Sequence, residues 1–455
     1  MKRQLHLNLF IHGRGHHEAS WRHPASSPLS LTDIRYYQDL AKRAEAALFD
    51  SIFFADQLAL GGDVTQAPRT WLEPITVLAA LAVATSRVGL IATASTTYSE
   101  PFNLARQFAS IDHISNGRAA WNIVTSWLAT AAENFGTDGQ VSHADRYARG
   151  EEFTTVVKEL WDSWAADAVV DERASGLYAR EERIRPINHR GDSYSVMGPL
   201  NMPRCPQGRP VLVQAGSSDT GRRFAARHAD AVFTAHMAKA TAQEFYADLK
   251  KLAAEEGRDP AQVLILPGLS PMIGSTEAEA QRLTREINEL TDPLVGRRRL
   301  SGRFGGHDFS QLPLDRPLVP ADFPDPSTVE AARSRAEVIL NLVRRDQPTL
   351  RQLLGYLAGA RGHYVMAGTP EQVADLMEDW FNDGAADGFN IMPPVLPSQF
   401  DTFSNEVVPL LQRRGLFRTE YSGTTLREHY GLPYPPSVFD DSTRKFGLRD
   451  LAAGV

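Results

Sequence analysis

Polar side chains suited to binding a planar heterocycle stand at the ends of four neighbouring apolar runs. Three of the runs contain Asp56, Thr93 and Asn122, respectively. The fourth run, 211–216, is followed directly by Ser217 and Ser218. An amide near the end of a strand can both donate to and accept hydrogen bonds from a heterocycle. Such residues also cap helices, which is the alternative for each of them taken singly. Because four runs share the feature, we expect a pocket where these runs end.

Two further segments are suited to binding a phosphate. GSSDTG (216–221) offers backbone N–H groups, two hydroxyls and the start of a helix, which favours a phosphate monoester; a simple capped helix start is the alternative. In HADRYARGEEF (143–153), His143 and Tyr147 are four residues apart and share one face if a helix has begun. We expect this pair to reach the same pocket, the alternative being a pair exposed to solvent.

Other chemistries are disfavoured by spacing. His12, His16, His17 and His23 lack the HExxH pattern of a zinc hydrolase and a clear carboxylate partner, so we expect no metal site. GSSDTG is not the GxSxG of a nucleophile elbow, because position 220 is threonine. Neither GxGxxG nor GxxxxGK[ST] occurs, which argues against a Rossmann site and a P-loop.

Composition narrows the class of protein and its partners. The chain has 455 residues, 42% of them hydrophobic, and a formal net charge of −7 without a long run of one sign. Nucleic acid is therefore not an expected partner. No apolar stretch has the length of a membrane span, and the single cysteine, Cys205, excludes an internal disulfide framework. We expect a cytoplasmic protein with no membrane partner.

The apolar runs alternate with helical patterns, as in repeated βα units. Eight runs are predicted as strands: 5–12, 51–56, 89–95, 117–126, 211–216, 231–236, 263–274 and 388–395. Eight such units favour a closed (β/α)₈ TIM barrel over the alternative, an open doubly wound sheet. In such barrels the chemistry sits at the carboxyl ends of the strands, where the polar residues collect.

We expect one barrel domain that covers residues 1–455. Three segments of it are additional to the repeated βα units. They are insertions at about 165–209 and 294–369 and a tail after about 415. Enrichment in Pro, Gly and Arg over 296–326 predicts a long loop, and the whole second insertion is the expected lid. Arg297, Arg298, Arg299 and Arg303 in this insertion are suited to meet a carboxylate or sulfonate, or are solvated surface.

Several long motifs together resemble the bacterial-luciferase-like flavin-dependent monooxygenases, in the branch of nitrilotriacetate monooxygenase component A. The resemblance extends from near residue 5 to about residue 430. The motifs are FFADQL, ATASTTYSEPFNLARQFASIDHISNGRAAWNIVTS, ENFG, HADRYARGEEF, VKELWDSW, PVLVQAGSSDTGRRFAARHADAVF, DGFNIMPP and VVPLLQRRGLFR. Members of this branch oxidise chelating amino acids, dibenzothiophene sulfone, long-chain alkanes and antibiotic precursors.

The resemblance implies a luciferase-like barrel that uses reduced FMN and O2 to oxygenate a small organic substrate. It implies that Asp56, Thr93 and Asn122 surround the flavin ring and ribityl chain. It places four residues near the phosphate: His143, Tyr147, Ser217 and Ser218. The segment GHHEASWRHP resembles the alkane-oxidising members and makes His16 a candidate for the chemistry.

The resemblance also implies a separate NAD(P)H:flavin oxidoreductase as partner, and we expect a homo-oligomer. Three alternatives remain open at this point. They are a deazaflavin-dependent oxidoreductase on the same barrel, a flavin-binding protein without turnover, and an unrelated barrel hydrolase.

Overall fold

Eight parallel strands close into a barrel. The computed structural model describes residues 3–60, 64, 68, 71–126, 128–136, 139, 141–326, 333–360, 362–437 and 439. The barrel strands are β1 (His6–Ile11), β2 (Ser51–Phe54), β3 (Gly89–Ser95), β4 (Ala119–Val124), β5 (Val211–Gln214), β6 (Ala231–Thr234), β7 (Leu264–Ile273) and β8 (Gly388–Ile391). Each pairs with the next along the chain, and β8 pairs with β1. All eight predicted strands and the barrel are confirmed.

Helices lie between successive barrel strands and after the last strand. They are α1 (Ile34–Ala46), α2 (Pro74–Ala82), α3 (Pro101–Ile114), α4 (Ala129–Glu133), α5 (His143–Trp161), α6 (Asp219–His228), α7 (Lys239–Glu255), α8 (Glu277–Glu289), α9 (Pro293–Arg303), α10 (Arg333–Asp346), α11 (Leu350–Ala360), α12 (Pro370–Asn382), α13 (Ser398–Thr402), α14 (Val408–Arg413) and α15 (Leu426–His429). Within the described residues, no helix is long and apolar enough to cross a membrane.

The starts of these helices follow the capping chemistry in the sequence. Thr369 caps α12 by accepting from the backbone N–H of Gln372, and the Gln372 side chain accepts from Thr369 in return. Thr276 likewise accepts from Glu279 at the start of α8. The Glu279 carboxylate instead accepts from the backbone N–H of Ser275, so a capping box is only half formed here.

The barrel interior is filled from one end by the tail of the chain. Leu426, Tyr430 and Leu432 join the interior cluster that includes Phe53 and Ile91. The backbone N–H of Leu426 donates to the carbonyl of the residue two positions before β4, so this plug sits at the amino-terminal end of the strands. The carboxyl-terminal mouth is left for a site.

The insertion at 294–369 is more ordered than its composition suggested. A loop was predicted over 296–326, and this was wrong for the first part, because α9 covers Pro293–Arg303. Asp292 caps this helix with proline in its first turn, and Leu300 and Phe304 pack into a hydrophobic cluster of the insertion itself. The many arginines and glycines of this segment made the apolar face of α9 hard to recognise in the sequence. After α10 and α11, an outer strand, Tyr364–Gly368, pairs in parallel with the second half of β7.

The insertion at 165–209 forms small hairpins. Val169–Glu172 pairs with Leu177–Ala179, and His189–Arg190 pairs with Ser195–Val196. These hairpins interrupt the connection from α5 to β5 without changing the order of the barrel strands.

Candidate active site

A cavity of about 370 Å³ opens at the carboxyl ends of the barrel strands. Its floor is a cluster of aromatic rings, in which Phe10 of β1, Phe53 of β2 and Phe233 of β6 have centroids 4.5 to 5.8 Å apart. The predicted residues His16, Asp56, Thr93 and Asn122 line it together. Such an apolar pocket with a few convergent polar groups is the usual form of a cofactor site.

Asn122 and Thr93 form the polar centre of this cavity. They lie opposite each other in the register of β3 and β4. The Asn122 amide Nδ2 donates to Thr93 Oγ1 at 2.8 Å, and Thr93 Oγ1 donates to the Phe54 carbonyl at 2.9 Å. Both side chains are buried, yet Asn122 Oδ1 has no hydrogen-bond partner in the described part of the chain. An unpartnered buried acceptor of this kind suits an N–H donor on a bound ligand.

Asp56 lies at the edge of the cavity, two residues after β2. Burial and the nearby Glu73 carboxylate raise its pKa, whereas hydrogen bonds from the Gln57 backbone and the Trp71 side chain lower it. The distance from the Gln57 N–H to Asp56 Oδ1 is 2.8 Å. The net shift is upward, so the folded protein favours the neutral carboxyl group more than a solvated aspartate would.

His16 is held against the aromatic floor. Its Nε2 donates to the Phe10 carbonyl at 2.8 Å, and its ring meets the Phe10 ring edge-on at 4.6 Å. The ring of His12 lies 5.6 Å from that of His16 and 5.8 Å from that of Trp71. No group of three or more potential metal ligands occurs among the residues whose placement is described.

The residues expected at the phosphate form a second group beside the cavity. His143 is the first residue of α5, and its ring lies 4.8 Å from that of Tyr147, so the predicted pair does share one helix face. Burial raises the pKa of the Tyr147 hydroxyl, while the neighbouring side chains of Ser218 and Thr125 lower it. Ser218 caps α6 by accepting from the Gly221 N–H at 3.1 Å. The capped helix start and the hydroxyl cluster are therefore the same feature.

Two glycines let the start of α6 approach this cluster closely. A Cβ added to Gly221 would lie 2.9 Å from the Tyr147 hydroxyl, and one added to Gly216 would lie 3.0 Å from it. The exposed side of this turn carries Ser217, which lines a neighbouring cavity of about 600 Å³ together with His236. Burial lowers the pKa of His236 to about 4. His143, Tyr147, Ser217 and Ser218 do not line the aromatic cavity themselves.

One residue of the cavity was missed in the sequence. His363 immediately precedes the outer strand, lines the cavity and stacks flat on Phe233. His363 belongs to the insertion and not to the end of a barrel strand, where functional residues are expected. The available signal was a histidine directly before a short apolar run, which is too common a pattern to single it out.

Comparison with known proteins shows the family to which this chain belongs. The sequence profile of the luciferase-like monooxygenases matches residues 11–387. The chain belongs to the luciferase-like monooxygenase family. It is therefore a flavin-dependent monooxygenase, and the predicted family, fold class and enzyme class are confirmed.

Relatives within the luciferase-like monooxygenase family match almost the whole chain. N-acetyl-S-(2-succino)cysteine monooxygenase of Bacillus subtilis (strain 168) is 48% identical, over 95% of this chain and 98% of its own length. Nitrilotriacetate monooxygenase component A of Aminobacter aminovorans is 46% identical, over 95% and 97%. The solved structure of EDTA monooxygenase from Chelativorans sp. BNC1 matches with a TM-score of 0.79 and 36% identity, over 95% of this chain and 100% of that chain.

Proposed function

We propose that this monooxygenase uses reduced FMN as its flavin, with its ring in the aromatic cavity and its phosphate at the start of α6. The observation that carries the proposal is the buried Asn122 Oδ1, which has no partner among the described residues and lies in an apolar cavity of ligand size. The glycines that bring α6 close to the Tyr147 and Ser218 hydroxyls fit a phosphate beside that cavity. The residues present therefore fit this cofactor.

When bound, reduced FMN reacts with O2 and supplies one oxygen atom to the substrate, while the other leaves as water. The chain holds the ring through the Asn122 amide, which Thr93 orients, and excludes water with Phe10, Phe53 and Phe233. His143 and Tyr147, with Ser217 and Ser218, bind the phosphate. His16 remains the candidate among the cavity histidines for contact with the reacting groups.

We infer that the substrate is a small organic molecule with carboxylate groups. The relatives at 48% and 46% identity are named for N-acetyl-S-(2-succino)cysteine and nitrilotriacetate, and the EDTA enzyme matches at 36%. All three compounds carry several carboxylates. The nitrilotriacetate relative is named as component A, which supports a separate flavin reductase as partner of this chain. A homo-oligomeric state and a cytoplasmic location stay predictions.

The decisive experiment supplies the flavin already reduced. Photoreduced FMN is mixed with the protein, air and either N-acetyl-S-(2-succino)cysteine or nitrilotriacetate, and the product is analysed by mass spectrometry. We expect oxygenation of at least one compound, and no turnover when a reduced deazaflavin replaces FMN. Binding of FMN without oxygenation of either compound would favour a flavin carrier without turnover. Reaction with the deazaflavin would favour an oxidoreductase of that class.

A further inference from the structure

A pair of serine hydroxyls lies in the wall of the aromatic cavity. Ser95 is the last residue of β3, Ser126 follows β4 by two residues, and both side chains line the cavity. Ser126 Oγ donates to Ser95 Oγ at 2.8 Å. The φ of Ser126 is 46°, in the left-handed region that residues other than glycine rarely adopt. The chain thus turns sharply after β4 at the point where the two hydroxyls meet.

The hydrogen bonds of this pair leave one hydroxyl hydrogen without an acceptor. Ser95 Oγ also accepts from the backbone N–H groups of Thr97, at 3.1 Å, and Tyr98, at 3.3 Å. No acceptor for the Ser95 hydrogen itself occurs in the part of the chain that the structure describes. If the bond between the serines ran in the opposite direction, the Ser126 hydrogen would be left instead. Because Ser95 is buried, an O–H without an acceptor costs free energy, and a ligand in the cavity can supply that acceptor.

The serine pair lies between the two parts of the proposed flavin site. Thr93, proposed to orient the amide that holds the ring, precedes Ser95 by two residues on the same face of β3. At a rise of about 3.3 Å per residue, these two residues are about 7 Å apart along the strand. Thr125 directly precedes Ser126, and its side chain lowers the pKa of Tyr147, one of the proposed phosphate ligands. In FMN, the ribityl chain with its hydroxyl groups joins the ring to the phosphate. The pair therefore lies where the ribityl chain would pass.

We propose that the pair formed by Ser95 and Ser126 binds the ribityl chain by donating a hydrogen bond to one of its hydroxyl oxygens. This contact rests on the proposed function and deepens it, because it assigns residues to the part of FMN between the ring and the phosphate. Ser95 supplies the donor, and Ser126 fixes its orientation. A flavin that lacks the ribityl chain gains nothing from the pair.

The test compares flavins that differ in one part at a time. Lumiflavin has a methyl group in place of the ribityl chain, riboflavin has the chain without the phosphate, and FMN has both. The affinity of each oxidised flavin for the wild type and for Ser95→Ala is measured by fluorescence quenching. Loss of a hydrogen bond between neutral groups corresponds to roughly 2- to 12-fold in affinity. We expect that loss for FMN and riboflavin alike, none for lumiflavin, and an unchanged visible absorption spectrum of bound FMN.

Three further variants separate binding from structure. Ser95→Thr retains the hydroxyl and should keep the affinity of the wild type for FMN. Ser126→Ala removes the orienting partner but leaves the Ser95 donor, so we expect a smaller loss than in Ser95→Ala. Ser115→Ala is the matched control: this buried serine caps α3 at the amino-terminal end of the barrel, and its Oγ accepts from the Arg118 N–H at 3.1 Å. It loses the same kind of backbone hydrogen bond and should leave the affinity for every flavin unchanged.

Three results would overturn the inference. An unchanged FMN affinity in Ser95→Ala would show that the pair does not contact the flavin. A loss confined to FMN would place the pair at the phosphate, and a loss for lumiflavin or a shifted absorption spectrum of bound FMN would place it at the ring. Failure of the proposed function is a different result, since it would appear in the wild type as absent FMN binding or absent oxygenation.

Discussion

The two groups of site residues differ in the part of the flavin they are proposed to touch. Asn122 and Thr93 lie inside the aromatic cavity, whereas His143, Tyr147 and Ser218 lie beside the start of α6. FMN and riboflavin differ only in the phosphate. A comparison of the two ligands therefore separates the roles of the two groups.

We expect His143→Ala to weaken FMN binding far more than riboflavin binding. The loss of one hydrogen bond to a phosphate corresponds to about 1–3 kcal/mol, roughly 5- to 150-fold in affinity. His143 is exposed at the first position of α5, so its removal leaves the fold intact. The two affinities are measured by fluorescence titration. Equal losses for both ligands would show that His143 does not contact the phosphate.

Asn122→Leu is the matched variant inside the cavity. The leucine has a similar size but cannot pair with the ring, so we expect FMN and riboflavin to lose affinity by the same factor. A selective loss of FMN binding in this variant would contradict the placement of the ring.

Some residues of the cavity could be predicted from the sequence, and His363 could not. Asp56, Thr93 and Asn122 were predicted to share a pocket because parallel strands end at one edge, and the register of β3 and β4 brings the last two into contact. His363 could not be found this way. Its ring occupies space that a side chain at Gly268 would fill, and Gly268 is 95 residues away in sequence and approaches it only once the barrel is closed.

At the scale of elements, the loop after β1 is tied to the helix that precedes the second insertion. His17 Nε2 donates to Asn288 Oδ1 of α8 at 3.0 Å, and His17 Nδ1 accepts from the Ala19 N–H at 3.1 Å. A second proton on this ring would face the Ala19 N–H. Burial lowers the pKa of His17 from 6.5 to about 4.

This link predicts a loss of stability in acid. Between pH 6.5 and pH 4 the unfolded chain protonates His17 while the folded chain does not, so the unfolded state binds more protons and the free energy of unfolding falls as the pH falls. From pH 7 to pH 4.5 the contribution of His17 is about 2–3 kcal/mol. His17→Gln should reduce the pH dependence of urea denaturation by that amount. An unchanged pH dependence of the free energy of unfolding would contradict a neutral His17 imidazole that makes two hydrogen bonds.

Elements differed in how well the sequence predicted them. The barrel strands were found because each is a short apolar run, buried on both faces between helices and interior. Helix α9 was missed because Arg297, Arg298 and Arg299 dominate its composition, while its buried residues face a cluster that forms only when α10 and α11 are present. That the insertion acts as a lid stays a prediction.

At the scale of the whole molecule, the two ends of the barrel have separate tasks. The carboxyl-terminal mouth holds the cavity, and the amino-terminal end is closed by the tail. Besides the apolar plug, Arg427 pairs with Asp230 at 3.2 Å, and the Tyr430 hydroxyl donates to Asn8 at 2.9 Å. The tail therefore stabilises the barrel from the end opposite the mouth, and Leu426 belongs to the same apolar cluster as the floor residues Phe53 and Phe233.

Leu426→Ala tests this separation. Leu426 is fully buried, and removal of such a side chain costs about 2–5 kcal/mol. We expect that decrease in the free energy of unfolding, measured in urea at pH 7, with unchanged FMN affinity at temperatures where the variant is folded. A loss of flavin binding in the folded variant would mean that the two ends are coupled.

The central claim is that this chain oxygenates its substrate with reduced FMN made by another protein. The most direct test incubates the purified chain with FMN, NADH or NADPH, 18O2 and N-acetyl-S-(2-succino)cysteine or nitrilotriacetate, with and without an added flavin reductase. We predict negligible nicotinamide oxidation by the chain alone, and a product with one 18O atom once the reductase is present. Rapid nicotinamide oxidation by the chain alone, or product without 18O, would contradict the account.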